Sequence, residues 1–406
     1  MADVITKQAR PWTSIPAGVW ALGIVSLLMD FSSEIIHALL PAYLVGVLHA
    51  SGLMVGIIEG VAEAVALIVR IFSGALSDWL GKRKLLATLG YGLAAFTKPV
   101  FPLASTVGWL FAARFIDRIG KGIRGAPRDA LVADFSPPEL RGASFGLRQS
   151  LDTIGAVAGP LLAIALMWLT ANDFTTVFWV AVIPAFLSFF VIAFAVKEPE
   201  RPANLRKVRN PVSRAELRLL GSAFWWLAAI GGALTLARFS EAFLILKAQT
   251  AGLPVALAPA VLVGMSAVFA LSAYPAGALS DRMDRRSILA AGTGVLIVAD
   301  LVLALAPGLL GVGLGVMLWG LHMGLTQGLL ATLIADTARP ELRGTAFGIF
   351  NLACGVATLL ASVIAGALWD VTGPKGTFLG GAAFSLVALL GLLAIRGRLP
   401  SIKQGM

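Results

Sequence analysis

The sequence predicts an all-α polytopic membrane protein with twelve transmembrane helices, arranged as two pseudo-symmetric six-helix bundles. Three observations lead to this class. Of the 406 residues, 58% are hydrophobic and only 13% are charged, a balance outside the range of soluble globular chains. Apolar runs of roughly 20 residues or more, the length that a bilayer core demands, recur along the whole chain. Motifs from the first half of the chain also return in the second half.

The apolar runs set the order of the elements. Each run is long enough for one membrane pass, and polar or Pro- and Gly-containing segments separate the runs. The predicted helices cover 16–43, 52–77, 85–105, 108–134, 143–169, 174–196, 220–246, 255–279, 288–306, 309–335, 345–368 and 377–395. Residues 1–14 are polar and lack the pattern of a cleavable signal peptide, so we expect the first helix to be retained.

Two repeated motifs reveal an internal duplication. Gly74-Ala-Leu-Ser-Asp78 returns as Gly277-Ala-Leu-Ser-Asp281, and Pro138-Glu-Leu-Arg-Gly142 returns as Pro340-Glu-Leu-Arg-Gly344. The copies lie 203 and 202 residues apart, so six helices fall in each unit. An even number of helices per unit relates the two units by an axis along the membrane normal.

The duplication divides the chain into three predicted regions. Residues 1–196 form an N-terminal six-helix bundle and residues 220–406 form a C-terminal one. Residues 197–219 are rich in charge and proline, which indicates a cytoplasmic linker.

Charge is distributed unevenly between the two sides of the predicted membrane. If the N-terminus is cytoplasmic, the outer loops hold only two basic residues, Lys247 and Lys375. This asymmetry follows the positive-inside rule and predicts a multi-pass protein of the plasma membrane (the cell inner membrane) with both termini cytoplasmic. It also accounts for the net charge of +10, which therefore indicates no nucleic-acid partner.

The first repeated motif extends to Gly74-x-x-x-Asp78-x-x-Gly81-Lys82-Arg83-Lys84. It resembles the loop between the second and third helices of the major facilitator superfamily of transporters. The second copy carries Asp284 in place of the usual glycine. The resemblance covers the whole chain and implies a secondary active transporter whose two halves give alternating access to a central site. The gating residues that it implies in these loops are Asp78, Arg83, Asp281 and Arg285.

The fourth predicted helix carries a stripe of charge that cannot face lipid. At about 100° per residue, its basic residues share one half of the cylinder. They are Arg114, Arg118, Lys121, Arg124 and Arg128. Because Arg recognises carboxylate and phosphate groups well, the first four are predicted to line a substrate cavity. The alternative is a structural ion-pair network, since nearby acidic residues almost balance the bases.

Acidic residues of the first two helices are predicted to converge on this stripe. Asp30 and Glu34 share a face of the first helix, and Glu63 lies on the second. Burial and a neighbouring Arg act in opposite directions on the proton affinity of a carboxyl group. These three residues are therefore the predicted proton-coupling groups. Arg118-Ile-Gly-Lys-Gly122 also resembles a fourth-helix pattern of the superfamily associated with proton transfer, with Lys121 where a Gln is common.

A motif in the fifth helix bears on the direction of transport. Gly155-Ala-Val-Ala-Gly159-Pro160 resembles the antiporter motif of drug and metabolite exporters in the superfamily, with Ala163 and Ile164 in place of its terminal Gly-Gly. The two glycines permit close contact with a neighbouring helix, and the proline would distort the helix. The resemblance favours export.

Charged residues precede this motif on the same helical face. Arg148 and Asp152 lie about one turn nearer the cytoplasm than Gly155. We expect this face at the seam between the two bundles, where Arg148 and Asp152, together with Arg128 and the fifth-helix motif, form an inner gate. Its ion pairs are expected to form when the protein opens outward.

The second bundle supplies few polar residues to the predicted cavity. Arg238, Gln327 and Asn351 are its candidate substrate-binding residues. Arg238 and Glu241 are three residues apart on the seventh predicted helix, so we expect them to pair with each other.

These features predict a proton-coupled exporter of a small organic molecule, either an organic anion or a drug-like compound. The alternative is an importer or exchanger of organic anions that uses the basic stripe. The sequence has no metal-ligand spacing, no nucleophile with a base in order and no phosphate loop in a suitable context, so it predicts no enzyme, metal or cofactor. We expect a monomer in the lipid bilayer, and the single cysteine, Cys354, can form no intrachain disulfide.

Overall fold

The structure is a computed structural model that describes residues 15–198, 220–280, 283–337 and 343–394. Within these ranges the chain is almost entirely helical and has no β-strand. The predicted all-α membrane fold is confirmed. Asp281 and most of the predicted linker at 197–219 lie outside the described residues.

Helices α1 to α6 make up the first half of the chain. Helix α3 is continued by the short turn Val100–Leu103, and α6 is continued by the π-helical turn Val191–Ala195. The helices are α1 (Ala17–Gly46), α2 (Gly52–Leu80), α3 (Arg83–Thr97), α4 (Val107–Phe135), α5 (Arg141–Leu169) and α6 (Phe174–Phe190).

Helices α7 to α12 make up the second half. Helix α7 is broken into two parts, Gly221–Ala237 and Ala242–Thr250, where the sequence predicted one continuous helix. It is followed by α8 (Ala260–Ser280), α9 (Arg285–Leu305) and α10 (Gly308–Thr337). The last helical segment, Arg343–Ala394, is interrupted at Gly373, whose φ of 72° and ψ of −173° are not helical. We call the part before Gly373 α11 and the part after it α12.

The described helices are consistent with twelve membrane passes. Nine of them are long and apolar enough to cross a membrane, and the one at Ala346–Ala394 is 49 residues long. At 1.5 Å per residue it measures about 74 Å, more than twice the thickness of a bilayer core, so its two parts make two passes. The two other passes are α3, which is short, and α4, which carries the charged stripe.

Polar side chains fix the first turns of several helices. Ser51 accepts a hydrogen bond from Met54 N at the start of α2. Asp173 accepts bonds from the Thr176 hydroxyl at 2.5 Å and from Thr175 N at 3.0 Å at the start of α6. These bonds hold the pKa of the Asp173 carboxyl below its usual value, and the bond from the Thr176 hydroxyl makes the largest contribution.

Helices α1 and α2 organise the packing of the first half. Helix α1 packs along α5 and α6, and α2 packs along α4 on one side and along α11 of the second half on the other. A Cβ atom on Gly155 would lie 2.5 Å from Leu27 O, and one on Gly159 would lie 2.7 Å from Phe31 O. The close contact of this glycine face is therefore with α1 in the same half. The expectation that it lies at the seam between the halves is wrong.

Candidate functional site

The two halves meet closely at one end of the molecule. We call this the distal side, where α1 ends and α2 begins, and the opposite side, where α2 ends, the proximal side. Cβ atoms on Gly56 of α2 and Gly366 of α11 would overlap the backbone of the opposite helix, and one on Gly60 would lie 3.0 Å from it. A Cβ on Gly348, nearer the proximal side, meets Ile71 only at 3.6 Å. The α2 and α11 helices thus separate toward the proximal side.

A polar contact reinforces the distal closure. Asp370, near the end of α11, accepts hydrogen bonds from Gly52 N at 2.7 Å and Leu53 N at 2.9 Å. The first amides of a helix have no partner within the helix, so a carboxylate from the second half completes the start of α2. The largest cluster of buried apolar residues also joins α1 to the distal part of α7, for example through Leu44 and Phe243. The molecule is closed on its distal side.

Below this closure, ion pairs connect the first helices. Glu59 of α2 is fully buried and lies 2.8 Å from Arg114 Nη2 of α4 and 3.5 Å from His37 Nε2 of α1. The other ring nitrogen of His37 lies 3.3 Å from Glu34. One histidine thus bridges two carboxylates, and three helices are fastened together. A buried charge is tolerated only when it is paired in this way.

A second buried pair ties α3 to its neighbours. Lys98 Nζ lies 3.0 Å from Asp117 Oδ1 of α4 and donates to Ser33 Oγ of α1 at 3.0 Å. Both charged side chains are almost fully buried. This pair therefore serves packing and faces no solvent.

Further along α4, the pairs open onto solvent. Arg118 Nη1 lies 3.5 Å from Glu63 of α2, and Arg124 Nη2 lies 3.9 Å from Asp30 of α1. The Arg124 guanidinium also stacks over the Tyr91 ring, with its carbon 4.9 Å from the ring centroid, a favourable cation–π geometry. Arg124 is therefore held from two sides.

The two members of each pair differ in exposure. The side chains of Arg118 and Arg124 are 2% and 4% exposed, whereas those of Glu63 and Asp30 are 37% and 24% exposed. Glu34 is also partly exposed. The arginines that were predicted to line the cavity lie behind the carboxylates. Because these groups sit in the middle of long membrane helices, their exposure indicates a water-accessible cavity whose surface is acidic.

Lys121 is the exception among the bases of α4. Its side chain is exposed, and no carboxylate of the described residues lies within the 4.0 Å ion-pair distance of it. It remains within the electrostatic field of Arg118, Glu63 and Asp30. Lys121 therefore presents a positive charge to an otherwise acidic surface.

A third group of charges lies toward the proximal side. Arg128 contacts Asp129 at 3.1 Å and Asp152 at 3.7 Å, and Arg148 contacts Asp152 at 3.2 Å. Arg70 completes the group by an ion pair of 3.0 Å with Asp129. The predicted gate residues Arg128, Arg148 and Asp152 are thus brought together, but all their ion-pair partners in the described part of the chain belong to the first half.

Comparisons with known proteins agree on the family. The sequence profile of the Major Facilitator Superfamily matches residues 22–362. An uncharacterized MFS-type transporter of Methanocaldococcus jannaschii is 32% identical over 386 residues, which make up 93% of this chain and 94% of that protein. The chain belongs to the Major Facilitator Superfamily. It is therefore a membrane transporter of small molecules.

More distant relatives of this superfamily member carry more specific names. The multidrug resistance protein MdtH of Proteus mirabilis is 25% identical over 362 residues, 87% of each chain. Among solved structures, the peptide transporter POT in complex with sulfate is similar with a TM-score of 0.77 over 96% of each chain. Its sequence identity of 17% supports the shared transporter fold alone.

The loop motif of the superfamily can be followed only in part. Arg83 lies 2.6 Å from Asp134 and donates to Ala130 O at 3.3 Å, which ties the start of α3 to α4. Asp78 and Arg285 belong to described helices, but their side chains lie outside the description, as does the whole of Asp281.

The candidate residues of the second half are less concentrated. Arg238 and Glu241 lie in the break of α7, and they form no ion pair, so the expected pairing is wrong. A pairing three residues apart requires a continuous helix, and the helix stops between them. Gln327 is exposed and Asn351 is partly exposed. His322 is buried and donates from Nδ1 to Gly292 O at 2.8 Å, as expected of a packing residue.

Sequence reasoning overlooked some residues of this transporter. Asp370 has no motif around it, and its role depends on contact with a helix more than 300 residues away in the chain. Helical spacing places Glu59 on the same face as Glu63, so its position near α4 could be predicted from the sequence. Nothing in the sequence distinguishes the full burial of Glu59 from the partial exposure of Glu63. No group of three or more His, Cys, Asp or Glu residues within the described ranges is arranged to hold a metal ion.

Proposed function

We propose that this transporter exports a small drug-like molecule with a cationic group, in exchange for protons. The observation that carries the proposal is the acidic surface of the cavity, where Glu63 and Asp30 face solvent and their arginines do not. A cationic group is attracted to such a surface by direct charge complementarity. The similarity to a protein named for multidrug resistance supports the same substrate class.

Proton coupling follows from the same carboxylates. Asp30, Glu34 and Glu63 each have a basic neighbour at 3.3 to 3.9 Å, and each is in contact with the cavity. A proton and a cationic substrate compete for one carboxylate, since the protonated group attracts no cation. Protonation from one side and substrate binding from the other then produce antiport.

Alternating access requires the distal closure to open and the proximal side to close. We propose that Asp370 and the α2–α11 glycine contact form the outer gate, with the distal side facing outward in the cell inner membrane. The inner gate uses Arg128, Arg148 and Asp152, which exchange partners within the first half for partners in the second when the proximal side closes. Asp78, Arg83, Asp281 and Arg285 belong to the same gate. Pro160 distorts α5 between the inner gate and the cavity.

One observation favours the alternative, import or exchange of an organic anion. Lys121 is exposed and has no ion-pair partner among the described residues, and a base in this state is a site for a carboxylate or phosphate. Arg238 is partly exposed as well. The exposed carboxylates around Lys121 oppose anion binding, so the cation is our first choice.

Flux measurements in proteoliposomes test the proposal. Vesicles with an imposed proton gradient should accumulate a fluorescent lipophilic cation on their acidic side, and Glu63→Gln should abolish the dependence on the gradient. Asp173→Asn, which removes a carboxylate outside the membrane, serves as the matched control and should leave flux unchanged. Flux of an aromatic carboxylate without flux of the cation would establish the alternative. In cells, deletion of the transporter should raise the internal concentration of the cation.

A further inference from the structure

Asp300 of α9 is a buried carboxyl group that has no partner among the residues the structure describes. Its side chain has no exposed surface, and neither oxygen has a hydrogen-bond partner in the described part of the chain. The helices around it carry six ionisable residues, which are Arg238, Glu241 and Lys247 on α7, His322 and Asp336 on α10, and Lys375 at the start of α12. No charged side chain of the described residues lies within the 4.0 Å ion-pair distance of Asp300.

The surroundings of this carboxyl group are apolar. A Cβ atom on Gly381 of α12 would lie 2.8 Å from Asp300 Oδ2 and 2.9 Å from the Phe239 ring, so the missing side chain of Gly381 makes room for both. Phe239 in turn packs against Trp319, with ring centroids 5.3 Å apart, and against Phe378 at 5.5 Å. An ionised carboxylate in such a place is strongly unfavourable.

The internal repeat shows what is unusual about this position. At the repeat offset of 202 residues, Asp300 corresponds to Lys98, and Trp319 corresponds to the partner of Lys98, Asp117. In the first half these two residues form a buried ion pair of 3.0 Å between α3 and α4. In the second half, the acid Asp300 takes the place of the base Lys98, and the indole of Trp319 takes the place of the acid Asp117. Asp300 is therefore an ionisable group whose equivalent in the first half has a counter-ion, while Asp300 itself has Trp319 at the position of that counter-ion.

Phe239 places this pocket beside the break in α7. The helix ends at Ala237 and resumes at Ala242, so Phe239 lies on irregular backbone. Broken membrane helices are typical of segments that line a site and move during transport. A movement of this break relative to α12 would uncover Asp300 and admit water.

We propose that Asp300 is a proton-binding site of the second half, separate from the carboxylates of the first half. With the distal side closed, the carboxyl group holds its proton. When the distal side opens and water reaches the pocket, the O–H bond breaks, the proton passes to water and the carboxylate remains ionised. The return to the closed state requires that a proton be taken up again.

Infrared spectroscopy of the purified protein tests this site without any transported substrate. A protonated carboxyl group gives a carbonyl band that is distinct from that of a carboxylate and shifts in deuterated water. We expect Asp300→Asn to remove the intensity of one such group at neutral pH, and Asp173→Asn to remove none. Unchanged intensity in the folded Asp300→Asn variant would overturn the proposal. If that variant does not fold, Asp300→Glu should shift the band, and an unshifted band would overturn it equally.

Two further conditions identify the ligand and its link to conformation. Loss of the band on adding Na⁺ at constant pH, but not on adding K⁺, would make the group a sodium ligand and overturn the assignment to protons. Gly56→Leu, which prevents distal closure, should weaken the band, whereas Gly46→Leu should not, since Gly46 has no atom within 4 Å of its Cβ position. An unchanged band in Gly56→Leu would make Asp300 a permanently protonated structural group. These infrared measurements need no transported substrate, so their outcomes do not depend on whether the protein exports the proposed cation.

Discussion

The Asp370 carboxylate of α11 accepts a hydrogen bond from the Gly52 amide of α2 at 2.7 Å, so a residue of the second half caps a helix of the first. This contact exists only while the distal side is closed. It therefore contributes to the free-energy difference between the closed and open conformations, and not merely to the stability of one helix.

Replacing Asp370 should shift this conformational equilibrium. A helix cap contributes about 1 kcal/mol, so Asp370→Ala should increase the distal-open population about fivefold. Alkylation of a cysteine at Ser362, buried between α2 and α11, measures this population in a Cys354→Ser background. Ser51→Ala is the control because Ser51 caps α2 from within the first half. An equal rise in both variants would mean that the cap acts on α2 alone.

The glycine contact should be still more sensitive to substitution. A side chain on Gly56 would overlap the Ser362 carbonyl, and backbone cannot yield as a flexible side chain can. Gly56→Leu should therefore hold the distal side open, with loss of transport and retention of folded protein. The measurement is the same alkylation at position 362, compared with Gly46→Leu. Protection of the cysteine in Gly56→Leu would contradict the assignment of this contact as the outer gate.

The buried pair of Arg114 and Glu59 should matter for stability. Removing one partner of a buried ion pair costs about 3–5 kcal/mol because the other charge is left unpaired. Arg114→Met should therefore lower the thermal unfolding temperature of the purified protein strongly, and the double variant with Glu59→Gln should recover much of the loss. Arg70→Ala, in a half-exposed pair with Asp129, should cost less than about 1 kcal/mol. A double variant no more stable than Arg114→Met would show that the two residues act independently.

Helical periodicity was sufficient to predict the fold and the convergence of charges. The apolar runs and the spacing of Arg118 and Arg124 on one face depend only on local sequence. Which side of each ion pair faces the cavity depends instead on how closely α4 approaches its neighbours. Those distances are set by glycines, Gly122 against α2 and Gly120 against α3. The sequence therefore indicated the charges correctly but suggested a basic cavity where the exposed surface is acidic.

The break in α7 had no sequence signal either. Residues 238–241 contain neither glycine nor proline, the usual causes of interruption. The break coincides with the packing of Phe239 among aromatic residues of α10 and α12. Tertiary packing of this kind overrides local helix preference, and the predicted pair of Arg238 with Glu241 was lost with the helix.

Opposite changes of charge in the cavity should have opposite effects on cation binding. Two charges about 8 Å apart interact by roughly 2 kcal/mol at an effective dielectric constant of 20, and partial hydration reduces this to about a tenfold change in affinity. Lys121→Gln removes a repulsive charge and should tighten binding of a fluorescent lipophilic cation. Glu63→Gln removes an attractive charge and should weaken it. Fluorescence titration of purified protein measures both.

The pH dependence of the same titration separates proton coupling from simple charge attraction. If a proton competes with the cation for Glu63, wild-type affinity falls as pH falls, because a protonated carboxyl group no longer attracts the cation. Glu63→Gln should flatten this dependence, whereas Lys121→Gln should keep its slope and raise affinity at every pH. If the pH dependence of cation affinity were unchanged in Glu63→Gln, the proton-coupling group would be Asp30 or Glu34 instead. Asp30→Asn and Glu34→Gln would then be measured in the same way. Tighter binding of an aromatic carboxylate than of the cation, lost in Lys121→Gln, would instead favour anion transport.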